Sequence, residues 1–243
     1  MGNTLSLFLN IYHTQYLYDM LNTATFDFLK DLKQNNYREW FAENKERYNN
    51  ARADIEAIVA ELLIEINKFD VELGFPEPKK CLFRIYRDTR FSGNKDPYKE
   101  NMGAILCAEE YKKLWNHADY YVHIQPEASF VSCGMYMPPP NVLKVLRTAI
   151  YDDFDTFSEI INAPDFKKAF GELANEESLQ RVPNGFDKNH PSAEYLKLKG
   201  FYVFRNMTDK ELCSKNFVKN AANLFKISLP LKEWLNKAAE DVE

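Results

Sequence analysis

Glycine is scarce in this chain, with eight residues among 243. Glycine supplies the positive φ angles and the close backbone approaches that glycine-rich phosphate loops and tight hairpins need, so folds built on many such loops are disfavoured. Cysteine is also sparse, and the four cysteines lie at least 26 positions apart. This spacing excludes paired-cysteine metal and redox motifs, and we expect the cysteines to be reduced core residues.

Familiar catalytic motifs are missing as well. The sequence has no pair of histidines around a glutamate, no serine elbow and no dinucleotide fingerprint, and His13, His117 and His190 lack the spacing of metal ligands. We therefore predict neither a metal nor a cofactor. Any chemistry would have to use common side chains.

Positive charge is absent from the first 18 residues, which also lack a small-residue cleavage site. This segment does not have the design of a signal peptide, and it is too short and too polar to span a membrane. Met20 directly precedes a good helix start. We interpret residues 1–19 as an extension and residues 20–243 as a single α+β domain, with a cytoplasmic location and no membrane partner by default.

What the chain does contain is typical of a globular protein: 45% hydrophobic, 28% charged and 14% aromatic residues. Helical periodicity dominates its first part. Thr23 and Thr25 are candidate N-caps of a short amphipathic helix. Asn36 followed by Glu39 has the pattern of a capping box that opens a long helix, with a bend near residues 49–50.

Further helices are predicted after the middle of the chain. Residues 140–170 predict two or three, the last opened by Pro164, and residues 180–191 predict a loop without periodicity. The C-terminal segment is helical on both sides of Pro230, where we expect a break because proline lacks the amide hydrogen.

The period changes to two between these helical regions. Alternation predicts three strands of one design, and two more segments are candidate strands: CLFRIY (81–86), YYVHIQ (120–125) and SFVSCGMY (129–136), then MGAILC (102–107) and FYVFRN (201–206). The predicted fold class is α+β, a small antiparallel sheet with helices packed over one face.

A cluster of positive charge is the main functional clue. Residues 84–99 carry five cations against two carboxylates, a net charge of +3 in a chain whose formal net charge is −5. Guanidinium groups match the oxygens of carboxylates and phosphates, so the cluster indicates an anionic partner. An alternative is that the arginines form internal pairs with nearby acids. The cations are Arg84, Arg87, Arg90, Lys95 and Lys99.

The predicted sheet would turn Phe83, Val122, Ile124 and Val131 toward the core and present polar and aromatic side chains on the opposite face. An antiparallel sheet can leave one face to water, which is the simplest explanation. The tyrosine and histidine content favours a pocket, as does Gly134, where a ligand or another backbone can approach closely. The loop from Asp88 to Asn101 can fold over this face. The side chains concerned are Arg84, Tyr86, Tyr121, His123, Gln125, Ser132 and Tyr136.

Two residues are candidates for proton transfer. His123 has an unperturbed pKa near neutrality and can act as a general acid or base, although a hydrogen-bonded structural histidine explains it equally simply. Tyr98 is the second candidate.

Long blocks of the chain resemble a bacterial family known only as domain of unknown function 2461. The resemblance runs from about Thr25 to about Leu231 and rests on FRIYRDTRFSGNKDPYKENMGA, YYVHIQPEASFVSCGMYMPPPNVLKVLRTAI, FDFLKDLKQNNYREWFAENKERY and LQRVPNGFDKNHPSAEYLKLKGF. It implies one domain and leaves activity open. Arg147, Lys197 and Lys199 are among the positions that match the family pattern.

The leading hypothesis is a small phosphorylated or carboxylated ligand bound between residues 84–101 and the polar face. An enzyme here would transfer or hydrolyse an anionic group, and a sensor would only bind it. The alternatives are a nucleic-acid-associated protein, against which the acidity of the chain argues, and a non-catalytic interaction or scaffold protein. The predicted ligand-binding residues are Arg84, Tyr86, Arg87, Arg90, Ser92, Lys95, Lys99, Tyr121, Ser132, Gly134, Arg147, Lys197 and Lys199.

Overall fold

In a computed structural model, the described residues are 20–90, 93–108, 116–176 and 178–240. The predicted extension at residues 1–19 and the candidate site residue Ser92 lie outside them. Across these described ranges, no helix combines the length and the apolar character that a membrane span requires.

Helices flank and interrupt the strands in chain order. Two 3₁₀ turns, Val71–Leu73 and Tyr195–Lys197, lie between longer elements. The α-helices are α1 (Thr23–Gln34), α2 (Arg38–Glu43), α3 (Lys45–Ile66), α4 (Pro78–Cys81), α5 (Pro140–Asp152), α6 (Phe154–Asn162), α7 (Pro164–Phe170), α8 (Asp209–Leu212) and α9 (Phe217–Ala239).

Four strands form one antiparallel sheet in the order β1-β2-β3-β4, which confirms the α+β class. Burial alternates along β2 and β3, as the period of two predicted. The alternation gives each strand a buried face and a half-exposed face. The strands are β1 (Met102–Leu106), β2 (Asp119–Ile124), β3 (Ser129–Met135) and β4 (Phe201–Met207).

The chain groups into two compact units. Unit 1 comprises the described residues of Met1–Ala108, Tyr121–Val131 and Asn206–Asn223. Unit 2 comprises those of Glu109–Tyr120, Ser132–Arg205 and Leu224–Glu243. The single-domain assignment stays a prediction.

The core of unit 1 is built from α1 and α3, which pack against each other, while α3 also contacts β1. The apolar stripe of α3 faces inward, since Ile55, Ile58 and Leu62 are buried. The N-cap of α1 is Asn22 rather than either predicted threonine, because its side chain accepts a hydrogen bond from the backbone of Ala24.

Unit 2 packs α5 against α6 and α6 against α7. Its core includes Phe157, whose ring lies 5.0 Å from that of Trp234 and 6.4 Å from that of Phe201. Three helices in residues 140–170, the last opening at Pro164, confirm the prediction for this region. The imidazole of His117 donates to Asp119 and accepts from Asn236, a structural role that ties α9 to the start of β2.

Two helix boundaries differ from the prediction. The predicted long helix is interrupted at Asn44, whose side chain donates to the carbonyl of Trp40. The sequence predicted a bend near residues 49–50 instead, which lie inside α3. The break predicted at Pro230 is wrong, because α9 runs through it. Pro230 is exposed whereas Leu231 and Leu235 are fully buried, so packing of the apolar face holds the helix together despite the missing hydrogen bond.

Candidate functional site

The cationic cluster lies on a hairpin-like segment of unit 1. The strand predicted at residues 81–86 does not form. Isolated antiparallel bridges instead join Leu82 to Ala104 and Tyr86 to Tyr98. Backbone hydrogen bonds from Arg87 to Pro97 and from Lys99 to Ile85 flank the second bridge, at 2.9 and 2.8 Å. This pairing fixes the positions of the cations at both ends of the intervening loop.

Because the pairing is irregular, the side chain of Phe83 is exposed rather than buried. Alternation placed this ring in the core beside Cys81 and Ile85, which are buried as predicted, but Phe83 is 46% exposed. Its ring centroid lies 6.1 Å from that of Tyr121. The prediction for Phe83 was wrong because a period of two applies only to a regular strand, and α4 ends at Cys81.

Two of the five cations are already engaged by the loop itself. The Arg90 guanidinium donates from Nε and Nη2 to the two carboxylate oxygens of Asp88, at 3.0 and 2.7 Å. This pair holds the pKa of Asp88 well below its usual range. The Lys95 ammonium donates to the carbonyl of Thr89 at 3.0 Å. Both side chains therefore stabilise the loop, and the carboxylate of Asp88 balances the charge of Arg90.

The other three cations are Arg84, Arg87 and Lys99, here called the cation triad. Within the described ranges, none of the three side chains makes an ion pair or a hydrogen bond with a carboxylate. Partial burial lowers the pKa of Lys99, and the positive charges of Arg84 and Arg87 lower it further. The triad therefore forms a shared positive field, and its one electrostatic link to a carboxylate in the described ranges is the longer-range attraction between Arg84 and Asp88.

A ring lies next to this field. The Lys99 ammonium is 5.5 Å from the centroid of the Phe83 ring, within the range of a cation–π contact. Phe83, Tyr121, Phe130 and His123 follow one another on this side of the sheet, here called the outer face, and the last two rings stack at 4.6 Å. Gly103 lies beneath the phenol of Tyr121, where a side chain would collide with it.

The polar groups of the outer face bond to one another. The imidazole Nδ1 of His123 lies 3.0 Å from the Tyr121 hydroxyl, and its Nε2 lies 2.9 Å from Oε1 of Gln125. The amide oxygen can only accept, so Nε2 carries the proton and the Tyr121 hydroxyl donates to Nδ1. Burial lowers the pKa of His123 and raises the pKa of Tyr121 to about 12, so both groups are neutral near pH 7.

The two tyrosines of the hairpin have different environments. Tyr98 is 5% exposed, its ring stacks on Phe41 at 4.0 Å, and burial raises its pKa. Tyr86 is 49% exposed and lies against the same rings. Tyr98 is thus packed as a core residue, a poor environment for proton transfer, whereas Tyr86 offers a ring surface to solvent.

The remaining predicted site residues belong to unit 2, and each contacts its own neighbours there. Ser132 donates to the carbonyl of Val203 at 2.8 Å, and Arg147 donates to the carbonyl of Leu198 at 2.8 Å. Lys197 pairs with Glu194 at 2.6 Å. Lys199 is half-buried and is likewise engaged by a polar, ring or electrostatic contact.

Gly134, also in unit 2, is a place of close backbone approach. An added Cβ would meet the carbonyl oxygen of Phe201 and the Cα of Tyr202. Of the two explanations the sequence left open for this glycine, another backbone or a ligand, the structure supports the backbone of β4.

In the described ranges, no group of three or more histidine, cysteine, aspartate or glutamate side chains is arranged so that it could hold a metal ion. The three buried cysteines and the half-buried Cys213 are free thiols. Burial raises the pKa of Cys213, which makes its thiolate less available.

Some important residues were not recognised in the sequence. Asn36 contacts the backbone of Tyr98 instead of forming a capping box, since α2 has Tyr37 at its N-cap. Gly103 was assigned only to a candidate strand, although a glycine between Met102 and Ala104 is a signal for close approach.

Together these features define an α+β protein whose unit 1 carries a cationic surface beside an aromatic outer face. The chain belongs to the family described as Conserved hypothetical protein (DUF2461), which it matches over residues 24–234. This match confirms the resemblance found in the sequence. Searches of curated proteins and of solved structures gave no match.

Proposed function

We propose that the protein binds a small phosphorylated or carboxylated ligand at the cation triad of unit 1. The observation that carries the proposal is the contrast within one cluster. Arg90 forms a direct hydrogen-bonded pair with a carboxylate, whereas Arg84, Arg87 and Lys99 share a positive field and form no such pair in the described ranges. Like charges that lie close together repel, and an oxyanion turns this repulsion into attraction to all three.

The site is a surface rather than an enclosed cavity. Arg84 is exposed, and Arg87 and Lys99 are half-buried. The two guanidinium groups are suited to the planar geometry of a carboxylate or phosphate, and the lysine adds a point charge. Water competes at such a surface, so we expect modest affinity that weakens with salt.

Binding without a reaction is the simpler reading of the outer face. Both nitrogens of His123 are engaged by Tyr121 and Gln125. Proton transfer to a ligand would require one of these hydrogen bonds to break. The protein is therefore proposed to act in the cytoplasm as a binding or sensor module, and free cysteines suit that compartment.

The two rival functions fit less well. Non-specific nucleic-acid binding is disfavoured by a formal net charge of −5. A scaffold role for the arginines requires that they pair internally, and the Arg90–Asp88 pair has this character. The same explanation does not extend to the triad within the described ranges.

A thermal-shift screen of the full-length protein at constant ionic strength tests the proposal. The probes are orthophosphate, pyrophosphate, ribose 5-phosphate and succinate. A ligand at 100 times its Kd stabilises the folded state by about 2.7 kcal/mol, which raises the Tm measurably. Arg87→Ala should abolish this shift.

Arg181→Ala is the matched control, because Arg181 is exposed and lies outside the cluster. It removes the same charge and should leave the ligand-induced shift intact. If no probe stabilises the protein, or if both arginine variants lose the shift equally, the cation triad is not a binding site.

A further inference from the structure

Two exposed aromatic rings border the cation triad, and a bare oxyanion gives them no role. Phe83 is 46% exposed and Tyr86 is 49% exposed, although both rings are large enough to gain from burial. They lie on either side of Arg84 in the sequence. Exposed rings interleaved with cations are the arrangement with which proteins stack bases and hold phosphates.

Phe83 is the better placed of the two rings. Its centroid lies 5.5 Å from the Lys99 ammonium, and the Tyr121 ring supports it at 6.1 Å. An anion held by Lys99 would therefore lie close to the Phe83 ring. If that anion is the phosphate of a nucleotide, the base of the same nucleotide can reach this ring. Tyr86 contacts the rings of Phe41 and Tyr98 instead of the Lys99 ammonium and the Tyr121 ring.

We infer that the ligand class is a nucleoside phosphate, with the phosphate on the cation triad and the base stacked on the open side of Phe83. This inference rests on the proposed function, because it uses the same three cations. Every base has a π-face, so stacking selects the class of ligand without selecting one base. The phosphate supplies the charge that Arg84, Arg87 and Lys99 attract.

A mononucleotide fits the charge of the chain better than a nucleic-acid strand. Residues 84–99 carry a net charge of +3, whereas the whole chain carries −5. A long polyanion would extend beyond the local positive field and meet the acidic remainder of the chain, which lowers its affinity.

Calorimetric titration of the full-length protein with adenosine 5′-monophosphate, ribose 5-phosphate and an adenine-rich oligonucleotide tests the inference. Adenosine monophosphate should bind about tenfold more tightly than ribose 5-phosphate, since stacking strengthens binding of a base by this order. Phe83→Leu should reduce the affinity for the nucleotide to that for the sugar phosphate and leave the sugar phosphate unaffected.

Tyr136→Leu is the matched control, because Tyr136 is an exposed ring outside the cation cluster. It should leave nucleotide affinity unchanged. Equal affinities for nucleotide and sugar phosphate overturn this inference and leave the proposed function standing. If neither phosphate binds, the inference is overturned, and the proposed function is overturned as well when succinate also fails to stabilise the protein. Tighter binding of the oligonucleotide, per site, than of the mononucleotide also overturns the inference.

Discussion

Asn36 holds the backbone of Tyr98 by both of its polar groups. The Asn36 amide donates to the Tyr98 carbonyl at 3.1 Å, and the Tyr98 N–H donates to the Asn36 side-chain oxygen at 3.1 Å. In the bridge between Tyr86 and Tyr98, the hydrogen bonds fall on the flanking residues, so the Tyr98 amide and carbonyl point away from residues 82–87. Asn36 supplies the partner that a further strand would supply.

Replacing this side chain should therefore destabilise unit 1. Asn36→Ala leaves two backbone groups of a buried residue without their partner, and we expect a loss of about 2 kcal/mol in the free energy of unfolding. Urea denaturation measures it. Asn35→Ala is the control, since its amide makes one exposed hydrogen bond to Asp31 and should cost less. Equal losses in the two variants would contradict the role given to Asn36.

The sheet was predictable from the sequence because its alternation has a simple physical cause. Tyr120, Val122 and Ile124 are buried while Tyr121 and His123 are half-exposed, as hydrophobic burial on one face requires. Regular strands keep the period of two from end to end. The fold class and the shared side of Tyr121 and His123 followed from this pattern.

The candidate site was predictable only in part, because its details depend on long-range partners. The cluster of charge could be read from residues 84–99, but composition cannot tell that Arg90 pairs with Asp88 while Arg84 and Arg87 do not. Phe83 was misplaced because isolated bridges replace a regular strand. Cations distant in sequence, such as Lys197, were added to the site by their charge and their match to the family pattern, although the partner of Lys197 is Glu194.

Gly134 cannot carry a side chain. Its φ angle is 129°, a conformation that L-residues rarely adopt, and the β4 backbone at Phe201 and Tyr202 fills the space of a Cβ. We expect Gly134→Ala to lower the free energy of unfolding by about 3 kcal/mol or more, since backbone strain and a backbone clash add. Urea denaturation and the yield of folded protein measure the effect.

Gly93→Ala is the control for this substitution. Gly93 has no atoms within 4 Å of the position of a Cβ and no positive φ, so its replacement should change stability little. A Gly134→Ala variant as stable as Gly93→Ala would show that β4 can move away from β3 at low cost.

His123 should make stability depend on pH. Burial lowers its pKa in the folded state, so the unfolded chain binds more protons below the ordinary histidine pKa of about 6.5. Its contribution is therefore present above that value and is lost as the pH falls through the folded-state pKa. The slope from this one group is at most about 1.4 kcal/mol per pH unit.

Denaturation of the wild type and His123→Gln at pH 7.5 and at pH 5.5 measures this contribution. The wild type should lose more stability than the variant on acidification, because the variant has no proton to bind at this position. Identical losses in the two proteins would mean that burial does not hold the pKa of His123 below its ordinary value in the folded protein.

Pro230 should be a site of easy stabilisation. It lies within α9, where proline removes a backbone hydrogen bond, and its ring is exposed. Pro230→Ala restores the missing donor, and we expect the free energy of unfolding to rise by about 1–3 kcal/mol. Glu233→Ala, at another exposed position of the same helix, should change it far less. A Pro230→Ala variant of unchanged stability would contradict the cost assigned to the proline.

The mutual influence of the cation triad can be measured without any ligand. Burial, then Arg84, then Arg87 lower the pKa of Lys99. Arg84→Gln and Arg87→Gln should each raise this pKa, because each removes a like charge that disfavours the ammonium form. Reductive ¹³C-methylation of the lysines, followed by NMR titration at low ionic strength, reports the value, and Lys99→Arg identifies the signal.

Arg181→Gln provides the control for loss of a charge elsewhere and should leave the pKa of Lys99 unchanged. Added salt should narrow the difference between the wild type and the Arg84 variant, since screening weakens interactions between exposed charges. If neither Arg84→Gln nor Arg87→Gln moves the Lys99 titration, the three cations do not share one field. In that case an anion could not be attracted by all of them together, and the proposed binding surface would lose its physical basis.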